Sequence, residues 1–250
     1  MRRLRFAALA AVAIIGFASV ASAADMPRKA PVYAPPPPPV WTWTGFYIGV
    51  NAGGSFAHNA ATETDTTTGR SIASFTMSPG SFAGGGQVGF NYQFAPNWVV
   101  GVEGDIQGTS QNASNCTGAG CANPGNASYF TEEQKQKWFA TARARLGYTT
   151  GDWLFYVTGG GAWSEVHNDF RVFTPVDAEG SADFNLSGWT IGGGVERHLA
   201  GGWSAKVEYL YLDLGSYTDV VPDPLSGHTF TMTSDVRDHI VRVGLNYKFY

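Results

Sequence analysis

The stretch TARARLGY, residues 141–148, places Arg143 and Arg145 at alternate positions between apolar side chains. Side chains two residues apart share one face of a strand, so both guanidinium groups lie on the face opposite the apolar one. Arginine is almost never fully buried without a partner. The pattern therefore predicts acidic partners for the pair, and the chemistry is that of ion pairing.

Further charges lie in segments with the same alternation. We expect Glu103 and Asp105 to lie beside the arginine pair on a neighbouring strand, with their side chains pointing to the same interior. The complete predicted network of inward charges is Glu103, Asp105, Arg143, Arg145, Glu196, Lys206, Glu208 and Arg242. Two roles are open: a gate that exchanges partners to pass small ions, or structural pairing within a polar core.

A catalytic site requires a nucleophile and a base oriented by a third group. The alternating residues Glu165, His167 and Asp169 resemble part of such a set, but the sequence supplies no evident serine partner. The glycine runs 159–161 and 192–194 are not phosphate-binding loops, because no predicted helix follows either run. The sequence predicts no catalytic residue, no metal site and no cofactor.

Cys116 and Cys121 are the only cysteines of the chain. Their short separation in an exported chain favours a local disulfide over two free thiols. They lack nearby histidines, so they do not indicate a zinc site.

Residues 1–23 have the three parts of a secretory signal peptide, which are a basic start, an apolar run over residues 6–20 and the cleavage pattern Ala21-Ser22-Ala23. The alternative is a retained anchor, because the apolar run is nearly long enough to span a bilayer. Cleavage removes three of 16 basic residues and none of 20 acidic ones, which leaves a net charge of −7. Such a charge argues against nucleic acid as a partner.

Residues 24–40 are rich in proline, with an unbroken run from Pro35 to Pro39. Such a segment forms neither a helix nor a central strand, and it is expected to be an extended periplasmic leash. Residues 41–250 contain no stretch of about 18 consecutive apolar residues, so no helical span is predicted there.

From Trp41 onward, segments of about ten residues alternate apolar with small or polar side chains, which is typical of strands. We predict eight strands, at about 43–53, 82–94, 98–107, 137–148, 153–163, 184–197, 203–212 and 236–249. Tight turns at 95–97, 149–152 and 199–202 alternate with long connections at 55–81, 108–136, 164–183 and 213–235. This order predicts an up-and-down meander with every long loop at one end.

Alternation alone also fits a soluble barrel with an apolar interior. Aromatic residues such as Phe94, Trp98 and Trp153 flank the tight turns, as in the aromatic girdle of a membrane interface. The opposite face carries glycine, small polar residues and charges of both signs, which suits a narrow interior filled by side chains. These features favour an apolar face turned outward to lipid.

The chain resembles the small porin-family outer-membrane proteins of Gram-negative alpha-proteobacteria, of the OmpA-like and opacity type that includes outer-membrane immunogenic proteins. Seven segments carry the resemblance in order: WTWTGFYIGVNAGG, VGVEGDIQ, TARARLGY, LFYVTGGGAW, GWTIGGGVE, WSAKVEYLYLDLG and VRVGLNYKF. It implies an all-β fold, an eight-stranded antiparallel transmembrane β-barrel with four long outer loops and short periplasmic turns.

The resemblance implies residence in the cell outer membrane, with contacts to its lipid, to lipopolysaccharide and to the insertion machinery. Members usually end in phenylalanine, which that machinery reads. Here Phe249 has the matching position and Tyr250 follows it.

We expect a non-enzymatic structural protein with a largely packed polar lumen and surface-exposed loops. The alternatives are a small-solute pore, or loop-mediated adhesion or haemin binding. The candidate haemin ligands are His58, His167, His228 and His239.

Overall fold

The computed structural model describes residues 41–78, 80–117, 121, 129–173, 178–222 and 229–249. The predicted signal peptide, 1–23, and leash, 24–40, lie outside the described residues. The described strands are β1 (Gly45–Ala57), β2 (Asn59–Asp65), β3 (Arg70–Met77), β4 (Gly80–Ala95), β5 (Trp98–Thr117), β6 (Tyr129–Thr150), β7 (Trp153–Phe173), β8 (Ala178–Ala200), β9 (Trp203–Pro222) and β10 (Thr229–Lys248). Within the described part of the chain, no helix is long and apolar enough to cross a membrane.

Eight of these strands close into a ring of antiparallel neighbours, in the order β1, β4, β5, β6, β7, β8, β9 and β10. The ring closes where β1 pairs with β10, from Tyr47 opposite Lys248 to Ala57 opposite Asp238. Closure gives each ring strand two hydrogen-bonded neighbours, which a bilayer requires because it offers the backbone no water. The predicted antiparallel up-and-down barrel is confirmed.

Tight turns join β4 to β5, β6 to β7 and β8 to β9, as predicted. Gly151 and Gly201 each have a φ of 57° in the second and third of these turns. This left-handed conformation costs glycine little, because glycine lacks a Cβ atom. We call the end of the ring that carries these turns the turn end, and the opposite end the loop end.

Strands β2 and β3 lie in segment 55–81, which the sequence pattern assigned to a loop. β10 pairs first with β1 and then, further toward the loop end, with residues Ala60 to Asp65 of β2. β3 in turn pairs with β2. The pairing of β4 with β5 ends at Ala83 opposite Thr109, and within the described residues β5 then pairs with β6 alone. The loop end therefore has a seam between β3 and β5.

The ring strands extend further toward the loop end than predicted. β6 begins at Tyr129 instead of about residue 137, and β8 begins at Ala178 instead of about residue 184. In these extensions outward residues such as Lys135 and Asp169 are polar, so the hydrophobic alternation disappears although the backbone pairing continues. Much of each predicted long loop is consequently strand.

The apolar face of the ring points outward. Val102 and Ile191 are 60% and 55% exposed, whereas their inward neighbours Glu103 and Thr190 are 4% and 2% exposed. An apolar exterior around a polar interior is the reverse of a soluble barrel, so the predicted lipid-facing arrangement is confirmed.

Two rows of aromatic residues border this apolar band. At the turn end Trp98 lies 5.5 Å from Tyr148, and nearer the loop end Trp189 lies 5.5 Å from Tyr211, between ring centroids. On β7, Trp153 and Trp163 mark the two rows, and strands tilted by about 40° span about 25 Å over such a stretch. The rows therefore match the two interfaces of a bilayer.

Glycines on the inward face make room for large inward side chains. A Cβ atom at Gly194 of β8 would lie 2.6 Å from the hydroxyl oxygen of Tyr156, and one at Gly89 would likewise overlap Tyr47. Both tyrosines are buried. Each of these large tyrosine side chains is thus accommodated by a glycine on the neighbouring strand.

We expect Gly194→Ala to reduce the free energy of unfolding by about 1–3 kcal/mol. The added methyl group would meet the carbonyl oxygen of Val207 at 2.5 Å and the hydroxyl oxygen of Tyr156 at 2.6 Å, so both must shift. Gly159→Ala is the matched control, since a Cβ atom there meets its nearest neighbour at an ordinary 3.4 Å. Urea unfolding in lipid vesicles, followed by tryptophan fluorescence, measures both. Equal stabilities for the two variants would contradict this account of packing.

Candidate functional site

Arg143 is the centre of an ion-pair network inside the ring. It lies on β6 directly opposite Glu103 of β5 and forms an ion pair with it. Its Nη2 atom is 2.7 Å from Oδ2 of Asp105, and its Nη1 atom is 3.2 Å from Oε1 of Glu208 on β9. One guanidinium group thus binds acids from both sides of the lumen.

Two further basic groups cross the same interior. Arg242 of β10 places Nη2 2.6 Å from Oε2 of Glu208 and Nη1 3.1 Å from Oδ1 of Asp105. Lys206 of β9 places its Nζ atom 3.1 Å from Oε1 of Glu103. Strands β5, β6, β9 and β10 are therefore joined through the lumen as well as along the wall.

Arg145 has a different partner from the one predicted. Its Nη2 atom is 2.8 Å from Oε2 of Glu196 on β8. The reason is register: Arg145 lies opposite Gly101, two residues nearer the turn end than Glu103, so no acid faces it across β5. Its guanidinium also stacks 3.5 Å from the ring centroid of Tyr156.

The ion pairs are supported by uncharged donors. Tyr47 donates its hydroxyl to Glu103 at 2.7 Å, Tyr156 donates to Glu208 at 3.0 Å, and Thr141 donates to Asp105 at 2.6 Å. These three residues were not among the predicted members of the network. The alternating pattern of the sequence places these residues on the inward face. Because their side chains are neutral, nothing in the sequence distinguishes them from the other small and polar residues of that face.

The network is fully buried and balanced in charge. The side chains of Glu103, Asp105, Arg143, Arg145, Glu196, Lys206, Glu208 and Arg242 are each at most 3% exposed. Four are basic and four are acidic. Removing one member of such a set leaves an uncompensated buried charge, which costs about 3–5 kcal/mol.

A second polar interior lies in the loop-end extension, where the sequence pattern indicated loop. Glu132 is 1% exposed, and the inward side of the same region carries Glu63 and Asp219. Burial, with the charges of Asp219 and Glu63, raises the pKa of Glu132 to about 7. This acidic interior lacked any sequence signal because the strands that form it were not predicted.

Three of the four candidate haemin ligands lie within the described residues, and each of the three has a local partner. His58 lies 3.4 Å from Ser78, and His239 lies 2.8 Å from the hydroxyl of Tyr209. His167 has Asp183 at Nδ1 and Asp169 3.2 Å from Nε2. His228 lies outside the described residues.

The two other predicted features lie at opposite ends of the ring. Cys116 and Cys121 form a disulfide with a Cα–Cα distance of 5.9 Å at the loop end of β5. Phe249 donates its backbone N–H to the carbonyl of Phe46 at 2.9 Å, so it extends the ring closure at the turn end. Tyr250 lies outside the described residues.

A groove of about 1100 Å³ runs along the loop-end parts of β5 to β8. Its lining includes the charged residues Glu133, Lys135, Asp169, Arg171 and Glu179. Some of these charges already pair, since Lys135 lies 3.0 Å from Glu133 and 3.3 Å from Asp169. The groove is thus a polar surface of mixed charge.

A closed antiparallel ring with an apolar outer band, two aromatic rows and a polar interior defines a transmembrane β-barrel. Barrels of this class span the outer membrane of Gram-negative bacteria.

A family model described as outer membrane protein beta-barrel domain matches residues 9–249, and the chain belongs to this family. It is 40% identical to the 31 kDa outer-membrane immunogenic protein of Brucella melitensis biotype 1, over 96% of this chain and 98% of that protein. It is 31% identical to the 25 kDa outer-membrane immunogenic protein of Brucella abortus biovar 1, over the full length of both. The solved outer membrane protein OprG of Pseudomonas aeruginosa aligns at 12% identity and a TM-score of 0.47, over 85% of this chain and 100% of that one. The protein is located in the outer membrane.

We expect Arg143→Ala to lower the free energy of unfolding by about 3–5 kcal/mol, because Glu103, Asp105 and Glu208 then exceed the remaining positive charge. Arg145→Ala should cost less, since Glu196 keeps hydrogen bonds from Ser204 at 2.5 Å and Asn246 at 2.8 Å. Urea titration in vesicles provides the comparison. A larger loss of unfolding free energy for Arg145→Ala than for Arg143→Ala would show that Arg143 is not the centre of the network.

The hydrogen bond to Asp183, with the charge of Asp169, raises the pKa of His167 above its ordinary value. Because this pKa is higher in the folded state, the protonated form of His167 stabilises the folded protein. This stabilisation is complete below the unfolded pKa of about 6.5 and is lost as pH rises through the folded pKa. An NMR titration of the histidines should show the raised pKa of His167, and Asp183→Asn should move that pKa back toward 6.5. Glu165→Gln serves as the control on the same strand face, and a wild-type pKa at or below 6.5 is the contrary result.

Proposed function

We propose that the protein is a non-enzymatic structural barrel whose lumen is closed by the charge network and whose loop-end sheet is presented outside the cell. The observation that carries this proposal is the network itself. Its ion pairs connect opposite walls of the ring, and every member is buried. An eight-stranded ring encloses a width that side chains alone can fill.

The network also argues against a steady open pore. An ion that crosses this level must first separate pairs such as Arg143 with Glu208 or Arg242 with Asp105. Each separation exposes a buried charge in a medium of low dielectric constant. A packed lumen therefore has a large barrier to conduction, and the gate remains the less favoured role for these residues.

The arrangement around His167 supports a role without catalysis. Both of its ring nitrogens face carboxylates, Asp183 and Asp169, on the outward surface of the loop-end sheet. The two ring nitrogens are thus directed at carboxylates and not at a hydroxyl or thiol group, which a general base must contact to activate a nucleophile. The residues that looked most like a catalytic set are thus better explained as a surface ion cluster.

The outer surface supports the proposed partners. The apolar band and its two aromatic rows fit the acyl and headgroup regions of the outer membrane, and we infer contact there with lipid and lipopolysaccharide. The described C-terminal residues complete the ring closure through Phe249, which fits a terminus read during insertion. The relatives are named as immunogenic proteins, which agrees with a loop end exposed outside the cell.

The groove at the loop end favours one second candidate, a surface that binds a ligand or a host component. Its lining combines basic and acidic side chains over about 1100 Å³. Haemin ligation gains little support, because His58, His167 and His239 each contact a side chain of this chain.

In planar bilayers the wild-type protein should show no large steady conductance at either polarity. The double variant Arg143→Ala/Arg242→Ala should open a cation-preferring leak, because it leaves Glu103, Asp105 and Glu208 in the lumen with less compensating charge. Lys135→Ala, on the outward face, is the control and should resemble the wild type. A stable wild-type pore would overturn the closed-lumen proposal.

A further inference from the structure

The inward face of the barrel is balanced in charge at mid-depth but not at the loop end. All buried basic side chains of the described residues lie in the network or nearer the turn end; they are Arg143, Arg145, Lys206, Arg242 and Lys248. The loop-end interior instead carries Glu63, Glu132, Asp219 and Asp238. This half of the lumen is therefore acidic without a buried basic partner.

Glu132 has little to compensate its charge. It is 1% exposed, both carboxylate oxygens are buried, and the nearby amide group of Asn168 gives the charged form only partial support against burial and the charges of Asp219 and Glu63. Gln134, two residues along the same face of β6, donates to Tyr217 instead, at 2.6 Å. A buried carboxylate in this state is costly unless a positive charge or several donors compensate it.

Two neighbouring amides leave their oxygens free. The side-chain N–H of Asn59 donates to Oε1 of Gln134 at 2.7 Å. The side-chain N–H of Asn168 donates to Oδ2 of Asp219 at 3.5 Å. The Oδ1 atoms of Asn59 and Asn168 are both buried without a hydrogen-bond partner. Asn168 lies directly opposite Gln134 on β7, which places it next to Glu132 along the wall.

The unpartnered atoms of Glu132, Asn59 and Asn168 are thus oxygens of carboxylate and amide groups. Calcium ions bind such oxygens, complete their shell with water and tolerate irregular geometry. Within the described residues no three His, Cys, Asp or Glu side chains converge as a metal cluster. A cation held here would therefore rely on one carboxylate, on amide oxygens and on retained water.

We propose that the loop-end lumen binds a partly hydrated divalent cation of the calcium type, anchored by Glu132. The amide oxygens of Asn59 and Asn168 are available from the neighbouring walls, and Glu63 and Asp219 add negative charge. The site lies between the charge network and the loop end of the ring. The proposal does not depend on whether the network conducts.

The test uses the full mature chain, refolded in zwitterionic micelles, stripped with a chelator and titrated calorimetrically with calcium chloride. We expect saturable binding by the wild type and a loss of affinity of at least about tenfold in Glu132→Gln. Glu133→Gln is the matched control: it removes the same charge one residue away, on the outward face, and should bind as the wild type does. Heat-dependent gel mobility verifies that each variant is folded.

A second measurement separates binding from a folding defect. Without calcium, Glu132→Gln should melt at a higher temperature than the wild type, because it removes an uncompensated buried charge. Added calcium should raise the melting temperature of the wild type and of Glu133→Gln, but not that of Glu132→Gln. Unchanged calcium binding in Glu132→Gln, equal loss in Glu133→Gln, or binding of putrescine without binding of calcium would overturn the proposal.

Discussion

The structure depends above all on the backbone hydrogen bonds that join β1 to β10. Once the ring is closed, every residue in a ring strand faces either lipid or a narrow lumen, and parity along the strand decides which. Val102 and Glu103 are consecutive in the chain and yet meet opposite environments. The outward face must then be apolar, and the inward face must accommodate whatever polar groups remain.

The lumen accommodates buried polar and charged side chains in two different ways. At mid-depth, charges of opposite sign come from facing walls, so each buried ion is compensated by ions distant in sequence, as Arg143 is by Glu208. In the loop-end extension, Glu132 and its neighbours have the same sign and less compensation. The first region contributes to holding the barrel together, and the second is where we propose that a bound cation compensates the acidic groups.

The membrane-embedded part of the fold could be predicted from sequence because lipid imposes a visible period of two. The positions of the membrane-embedded strands and their lipid-facing side followed from that period, and the same parity places the eight charged residues on the inward face. The pairing within the network could not be predicted from this period. Arg145 on β6 reaches past β7 to Glu196 on β8, and only the three-dimensional register shows that its neighbour on β5 is Gly101. The loop-end strands were missed for a related reason: outside the bilayer both faces are polar, so Lys135 and Gln134 differ in orientation but little in hydropathy.

The seam between β3 and β5 lies beyond the aromatic row of the loop end, where water can satisfy unpaired backbone groups. The same interruption within the bilayer would leave those groups without partners. Segment 55–81 can therefore gain or lose residues without rupturing the sealed part of the wall. The stretch of β5 beyond its pairing with β4, from Gln111 to Asn115, is mostly polar and is followed by the cystine at Cys116. It is therefore a poor template for strands of adjacent molecules in a crowded membrane. The first connection is thus where this barrel can vary in length between relatives at the lowest cost to its integrity.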